Sequence, residues 1–147
     1  MSAIYEKLGV RFMYPDTWEV IDEDPAADPR SISVHNKTGA FWSVTAYRAG
    51  IEPAEIAAAA LSALRDEYEE LEAEEVTEQI GPLDADGYDV HFYVQQLVAA
   101  ARIRAFEYDS RTILLLCQGE DREFDQLARV FDAMTLSFIG ATPSLSD

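Results

Sequence analysis

The side chains with the readiest nucleophilic or metal-binding chemistry in this 147-residue chain are one cysteine and two histidines. Cys117 lies inside the apolar run LLLCQG. Apolar burial raises a thiol's pKa and removes the thiolate that would attack, so Cys117 reads as a packing residue. His91 follows Asp89 by two positions. On a strand that spacing puts both side chains on one face, where they could meet one metal ion. Two ligands do not make a tetrahedral site, and a third would have to come from another strand. A solvated or hydrogen-bonded histidine is the simpler expectation, with no metal and no cofactor. The stretch DADGYD looks superficially like a calcium loop. That loop needs glycine at its sixth position and an acid at its twelfth. Setting Gly87 sixth puts Pro82 first and Tyr93 twelfth, so the stretch is expected to be a hairpin turn. There is no G-x-S-x-G elbow, phosphate loop or G-x-G-x-x-G. No catalytic set stands out, and the chain is expected not to be an enzyme.

The elements that would position these residues follow from periodicity. Val10, Phe12 and Tyr14 share one strand parity, Pro15-Asp16-Thr17 supplies turn chemistry, and Trp18 to Ile21 can return as a second strand. This predicts a hairpin with Trp18 folded back on Phe12 or Tyr14, so the aromatics read as a clamp. Strands are expected over residues 31–35, 41–47, 76–81, 88–96, 101–108, 112–117 and 135–139. The strand over 112–117 is apolar on both parities and should be central. Ile56, Ala57, Ala60, Leu61, Leu64, Tyr68 and Leu71 form one stripe of a helix running from Pro53 to about Leu71. Phe124, Leu127, Ala128, Phe131 and Met134 form the stripe of a second helix over residues 120–134. Glu67, Glu69, Glu70, Glu72, Glu74 and Glu75 crowd the end of the first helix, where the backbone dipole disfavours negative charge. Such frustration hints that something positive meets Glu70 and Glu74.

Composition bounds the rest. The length suits one domain, over residues 1–139, with a flexible tail over 140–147. Hydrophobic residues make up 48% of the chain, enough for a core without staples. A single cysteine forms no intrachain disulfide, which suits a reducing, cytoplasmic setting. The N-terminus shows no signal-peptide pattern and no apolar run reaches membrane-spanning length. With 28 acidic against 11 basic residues the net charge is −17, which repels nucleic-acid phosphates and anionic lipid. The charge is either plain solubility or a docking face for a basic partner.

One surface draws attention. If Trp42, Val90, Phe92, Ile103 and Ala105 face a core, the opposite parity gathers Phe41, Thr45, Tyr47, His91, Tyr93, Arg102, Arg104, Phe106 and Tyr108. Aromatics with arginine are what interface cores enrich. A helix lying over this face would instead make it ordinary core.

The order of features resembles the PsbP-like superfamily. The chain opens with FMYPDTW, carries GYDVHFYV in the middle of three antiparallel strands, and ends a helix in VFDAMTLSF. The resemblance implies an α+β fold: a mainly antiparallel sheet with an N-terminal hairpin and helices packed on it as an α/β/α sandwich. It implies binding or adaptor roles more than catalysis and transfers no site. The leading expectation is a non-catalytic protein-binding module of the adaptor, chaperone or immunity kind, using an acidic or aromatic surface. Its partner would be another protein, a basic one in the sharper form, or a second copy of the chain. The competing expectation is a small-molecule binder or unrecognised enzyme with a pocket between sheet and helix.

Overall fold

The computed structural model describes residues 1–140. Its centre is β9 (Arg111–Glu120), the run that is apolar on both parities. Ile113, Leu115 and Cys117 of this strand point into one core, while Leu114 and Leu116 pack on a second. Around it lie β3 (Glu19–Ile21), β4 (Arg30–His35), β5 (Phe41–Tyr47), β6 (Leu71–Ile80), β7 (Leu83–Val94) and β8 (Leu97–Tyr108). Together they form a seven-stranded antiparallel sheet in the order β3-β4-β5-β9-β8-β7-β6. Helix α1 (Pro53–Glu67) covers β7, β8 and β9 on one face. Helix α2 (Asp121–Phe138) covers the other, beside a separate two-stranded ribbon of β1 (Ser2–Lys7) and β2 (Val10–Pro15). The chain is thus α+β, with antiparallel strands between helices, as expected.

Small side chains set the α1 layer. Ala57, Leu61 and Leu64 meet Ala99, Ala101, Ile103 and Ala105, so the helix lies close to the sheet. Tyr68, just past the helix, stacks on Phe92 with ring centroids 4.2 Å apart. The opposite core is aromatic: Phe12, Trp42, Phe106 and Phe131 are each fully buried. Trp42 donates from Nε1 to Thr135 Oγ1 at 3.0 Å, which gives its buried N–H a partner. Emptying such a site by a Phe→Ala change costs about 3–5 kcal/mol.

Four local expectations are corrected. The expected N-terminal hairpin is present, formed by β1 and β2, but the FMYPDTW stretch is not where it turns. Residues Val10–Pro15 pair with Ser2–Lys7, an N-terminal strand whose weak alternation hid it, and Glu19–Ile21 pair with β4 in the main sheet. The Pro15 turn, closed by Trp18 N–H to Pro15 O at 3.0 Å, is therefore a bridge between two sheets. Trp18 is half-buried and meets Phe131 of α2 edge-on at 6.1 Å, rather than folding back on the ribbon. Helix α1 stops at Glu67, because Tyr68 turns extended to reach Phe92 and carries the following glutamates into β6. Asp84–Gly87 lie inside β7, since the turn falls earlier, after Ile80. Residues 135–138 continue α2 instead of forming a strand, because Met134, Thr135 and Phe138 stay on its buried side. From residue 141 on, the expected flexible tail lies outside the described residues.

Candidate functional site

Strand pairing divides the aromatic surface expected from parity. Trp42 pairs with Cys117, Cys117 with Arg102, and Arg102 with Asp89, so these four share the α2 face. Phe41 pairs with Gln118, Gln118 with Ala101, and Ala101 with Val90, which puts Phe41 and Tyr47 on the α1 face. Parity within a strand is readable in sequence, but which parity joins which across strands is set by register. His91, Tyr93, Arg102, Arg104, Phe106 and Tyr108 remain together on the α2 face, and Phe41 and Tyr47 are separated from them.

The helix covers much of that group. Phe106 is fully buried, and Tyr108 packs on Phe138 at 5.5 Å between ring centroids. Arg102 bonds Asp132 of α2 at 2.7 Å and lies 5.5 Å from the Phe124 ring centroid. Arg104 is buried, with Nε on Glu78 at 2.5 Å and Nη2 on Asp89 at 2.8 Å. Its Nη1 donates to the carbonyls of Ile103 and Tyr88 at 2.9 and 3.2 Å. Gly87, the pairing partner of Arg104, leaves room for this; a Cβ there would sit 1.8 Å from Ile103 O. A small, half-open pocket of about 260 Å³ between sheet and helix is lined by Glu78, Arg102, Arg104, Cys117, Asp132 and Thr135, among others. Burial pushes the Cys117 thiol up to about 12, with the Arg102 charge opposing only in part. Its arginines are already held by carboxylates, so the cavity offers neither a free cation nor a thiolate. Only His91 and Tyr93 of the group are open to solvent. His91 pairs with Asp121 at 3.2 Å, while Asp89 serves Arg104 instead, so the two do not converge on a metal. Among the described residues no three histidine, cysteine or acidic side chains gather at a metal-sized site.

The acidic cluster takes a different form from the one its spacing predicts. Glu70 lies between α1 and β6, where its carbonyl accepts from Tyr93 N–H at 3.3 Å. Glu72, Glu74, Glu75 and Glu78 stand on β6, which among the described residues pairs only with β7 and so forms one edge of the sheet. The helix-dipole conflict is relieved by ending the helix early. Charge on an edge strand also blocks sheet-to-sheet aggregation. Glu67, Glu69, Glu70, Glu72, Glu74 and Glu75 are all exposed, and none makes an ion pair among the described residues.

A second cleft escaped sequence reasoning. It opens at the end of the sheet where the β1–β2 turn, the β3–β4 loop, the end of β5 and the β8–β9 turn meet. Arg11, Arg30, Arg48 and Arg111 all contribute to its walls. They are scattered through the sequence, and the one local signal is that all four stand at or next to strand ends. Arg30 is the buried one. It donates to Asp22 at 2.9 Å, Tyr5 Oη at 2.8 Å, and the carbonyls of Lys7 and Leu8 at 2.9 and 3.2 Å. Burial pushes the Asp22 carboxyl up, but hydrogen bonds from Tyr5 and Arg30 outweigh this and hold it below its usual range. Burial and the Asp22 bond raise the Tyr5 phenol.

No family model matches the chain, and no curated protein matches it. Solved structures do. Cyanobacterial PsbP (CyanoP) from Synechocystis sp. PCC 6803 superposes with a TM-score of 0.63 at 13% identity, over 92% of this chain and 90% of that one. The chain has a PsbP-like fold. A protein of unknown function from Pseudomonas aeruginosa superposes at a TM-score of 0.54 and 12% identity, over 97% of this chain and 99% of its own. LpqN of Mycobacterium tuberculosis, described as involved in cell envelope biogenesis, superposes at 0.53 and 13% identity, over 86% and 79%. At these identities the PsbP-like fold is what is shared, and side chains do not carry over. None of the three is described as an enzyme. No helix among the described residues is long and apolar enough to cross a membrane.

Proposed function

We propose that this PsbP-like protein is a non-catalytic accessory module that binds a basic protein partner along β6, in a cytoplasmic setting. The observation behind this reading is the unneutralised acidic edge. Six exposed glutamates from Glu67 to Glu75 have no cationic partner among the described residues. Among the described residues the outer hydrogen-bonding groups of β6 are not taken up by another strand. An extended segment can add to such an edge through its main chain, with side chains supplying specificity. Lysines or arginines on the incoming segment would meet glutamates on both faces of β6 and be steered to them from a distance. Two copies of the chain would repel one another along this edge, so the reading favours a different protein over a homodimer here. The PsbP-like likeness supports an accessory role in general terms. Affinity capture from native lysate at low salt tests it, comparing the wild type with Glu70→Gln/Glu74→Gln. A partner rich in lysine or arginine, held by the wild type and lost from the folded variant, is the expected result. Equal capture by both proteins would sink the reading.

A further inference from the structure

We propose that the arginine-lined cleft at the turn end of the sheet binds a small amphipathic organic anion, with its charged head on the arginines and its apolar body on the apolar lining beside them. The inference is independent of the acidic edge. By register, Glu74 lies level with Trp42 and Val34, toward the opposite end and on the far edge strand.

The first support is the distribution of cations. The chain carries a net charge of −17, and four of its nine arginines line this one cleft. Elsewhere the sheet arginines are neutralised: Arg102 by Asp132, and Arg104 by Glu78 and Asp89. Arg11, Arg48 and Arg111 are exposed at the cleft and make no ion pair among the described residues. Two aspartates, Asp28 and Asp109, also line it. Setting the Arg30–Asp22 pair aside, three arginines against two aspartates leave the cleft positive in a strongly negative molecule. A positive cleft with low-dielectric walls focuses field and raises the local concentration of anions. Arginine's planar fork suits carboxylate and phosphate oxygens in particular.

The second support is construction. Arg30, 8% exposed, is held from below by Asp22, Tyr5 and two turn carbonyls. Its Nε is buried and has no hydrogen-bond partner among the described residues. Two turns that frame the cleft hold non-glycine residues in the left-handed region: Leu8 at φ 50°, Asp109 at 54° and Ser110 at 61°. Such conformations cost energy and persist where the surroundings fix them, often at binding sites.

The third support is size and lining. The cleft is open on one side and holds about 830 Å³, within the range of small-molecule sites. Val10, Pro25, Ala27, Ile113 and Phe138 supply apolar wall beside the arginines. A simple inorganic ion would leave that wall unused, which is why the ligand class is an organic anion with an apolar body.

The probe is 8-anilinonaphthalene-1-sulfonate, an anion with an aromatic body, titrated by fluorescence into the folded protein at low salt. Saturable one-to-one binding is expected despite the acidic surface. Arg48→Gln/Arg111→Gln should weaken it at least tenfold with circular dichroism unchanged. Arg65→Gln/Arg129→Gln, which removes the same charge from the two helices, should leave it intact. Decanoate and decyl phosphate are then tested as competitors to distinguish carboxylate from phosphate heads; displacement by either supports the cleft and names the head. Absent saturable binding, equal loss in both double variants, or displacement by neither competitor would overturn the proposal.

Discussion

Replacing Asp22 with asparagine keeps the shape of the side chain and removes its charge. The Arg30 guanidinium would then be buried without its counter-ion. Both side chains are over nine-tenths buried and sit 2.9 Å apart. At that separation and an effective dielectric of about 20, the Coulomb attraction is roughly 6 kcal/mol before desolvation is subtracted. Removing one partner of a buried pair typically costs about 3–5 kcal/mol, because the remaining charge is left uncompensated. For a domain of this size that is a fall of roughly 10–15 °C in the thermal midpoint. A double variant, Asp22→Asn/Arg30→Met, should regain much of the loss, since an apolar replacement carries no stranded charge. The pH dependence gives a second readout. The folded Asp22 carboxyl titrates below its ordinary value of 3.8, so its contribution is present above that value and is lost as pH falls through the folded one. The acid limb of stability should therefore be shallower in Asp22→Asn than in the wild type. Chemical denaturation from pH 7 down to about pH 2 measures both effects. A cost below about 1 kcal/mol with an unchanged acid limb would mean that the pair is solvated and does not anchor the ribbon.

Three further outcomes follow from the packing. Cys117, buried with its thiol raised to about 12, should react slowly with Ellman's reagent in buffer and quickly in denaturant, and fast native labelling would reopen a thiol mechanism. Gly87→Ala should destabilise by more than about 3 kcal/mol, because its methyl would collide with the Ile103 carbonyl beneath Arg104; a thermal midpoint within 2 °C of wild type would contradict that. Raising sodium chloride from low to moderate concentration should stabilise the fold by screening β6, and Glu70→Gln/Glu74→Gln should mimic part of the gain, by a few tenths of a kcal/mol per residue. A salt-independent midpoint would show that those carboxylates are too far apart to repel.

Much of the fold was legible in residue patterns. The β5 boundaries, the central place of β9 and the buried stripe of α1 all follow from periodicity, since each concentrates its apolar residues on one face or on both. What periodicity hides is pairing. Val10–Pro15 and Glu19–Ile21 are adjacent in sequence with turn chemistry between them, yet each finds a different partner strand. Local turn signals report a change of direction, and only long-range register says which sheet receives the chain. The aromatic surface was half legible for the same reason, with Phe41 and Tyr47 on one face and Phe106 and Tyr108 on the other. The arginine cleft left almost no trace, because its four cations come from four separate segments.

The seam between β5 and β9 bears on how the chain folds. Strands β6 to β9 form a meander of neighbours joined by short turns, so their contacts are local and close at little entropic cost. Joining β5 to β9 instead brings Trp42 onto Cys117 across α1 and three strands of intervening chain. Non-local pairings of this kind slow folding. The meander with α1 is therefore the natural nucleus, and β3, β4, β5 and the ribbon join it late. Destabilising changes at Trp42 or Val44 should then act mainly by speeding unfolding, while changes at Ile103 or Val90 should slow folding itself.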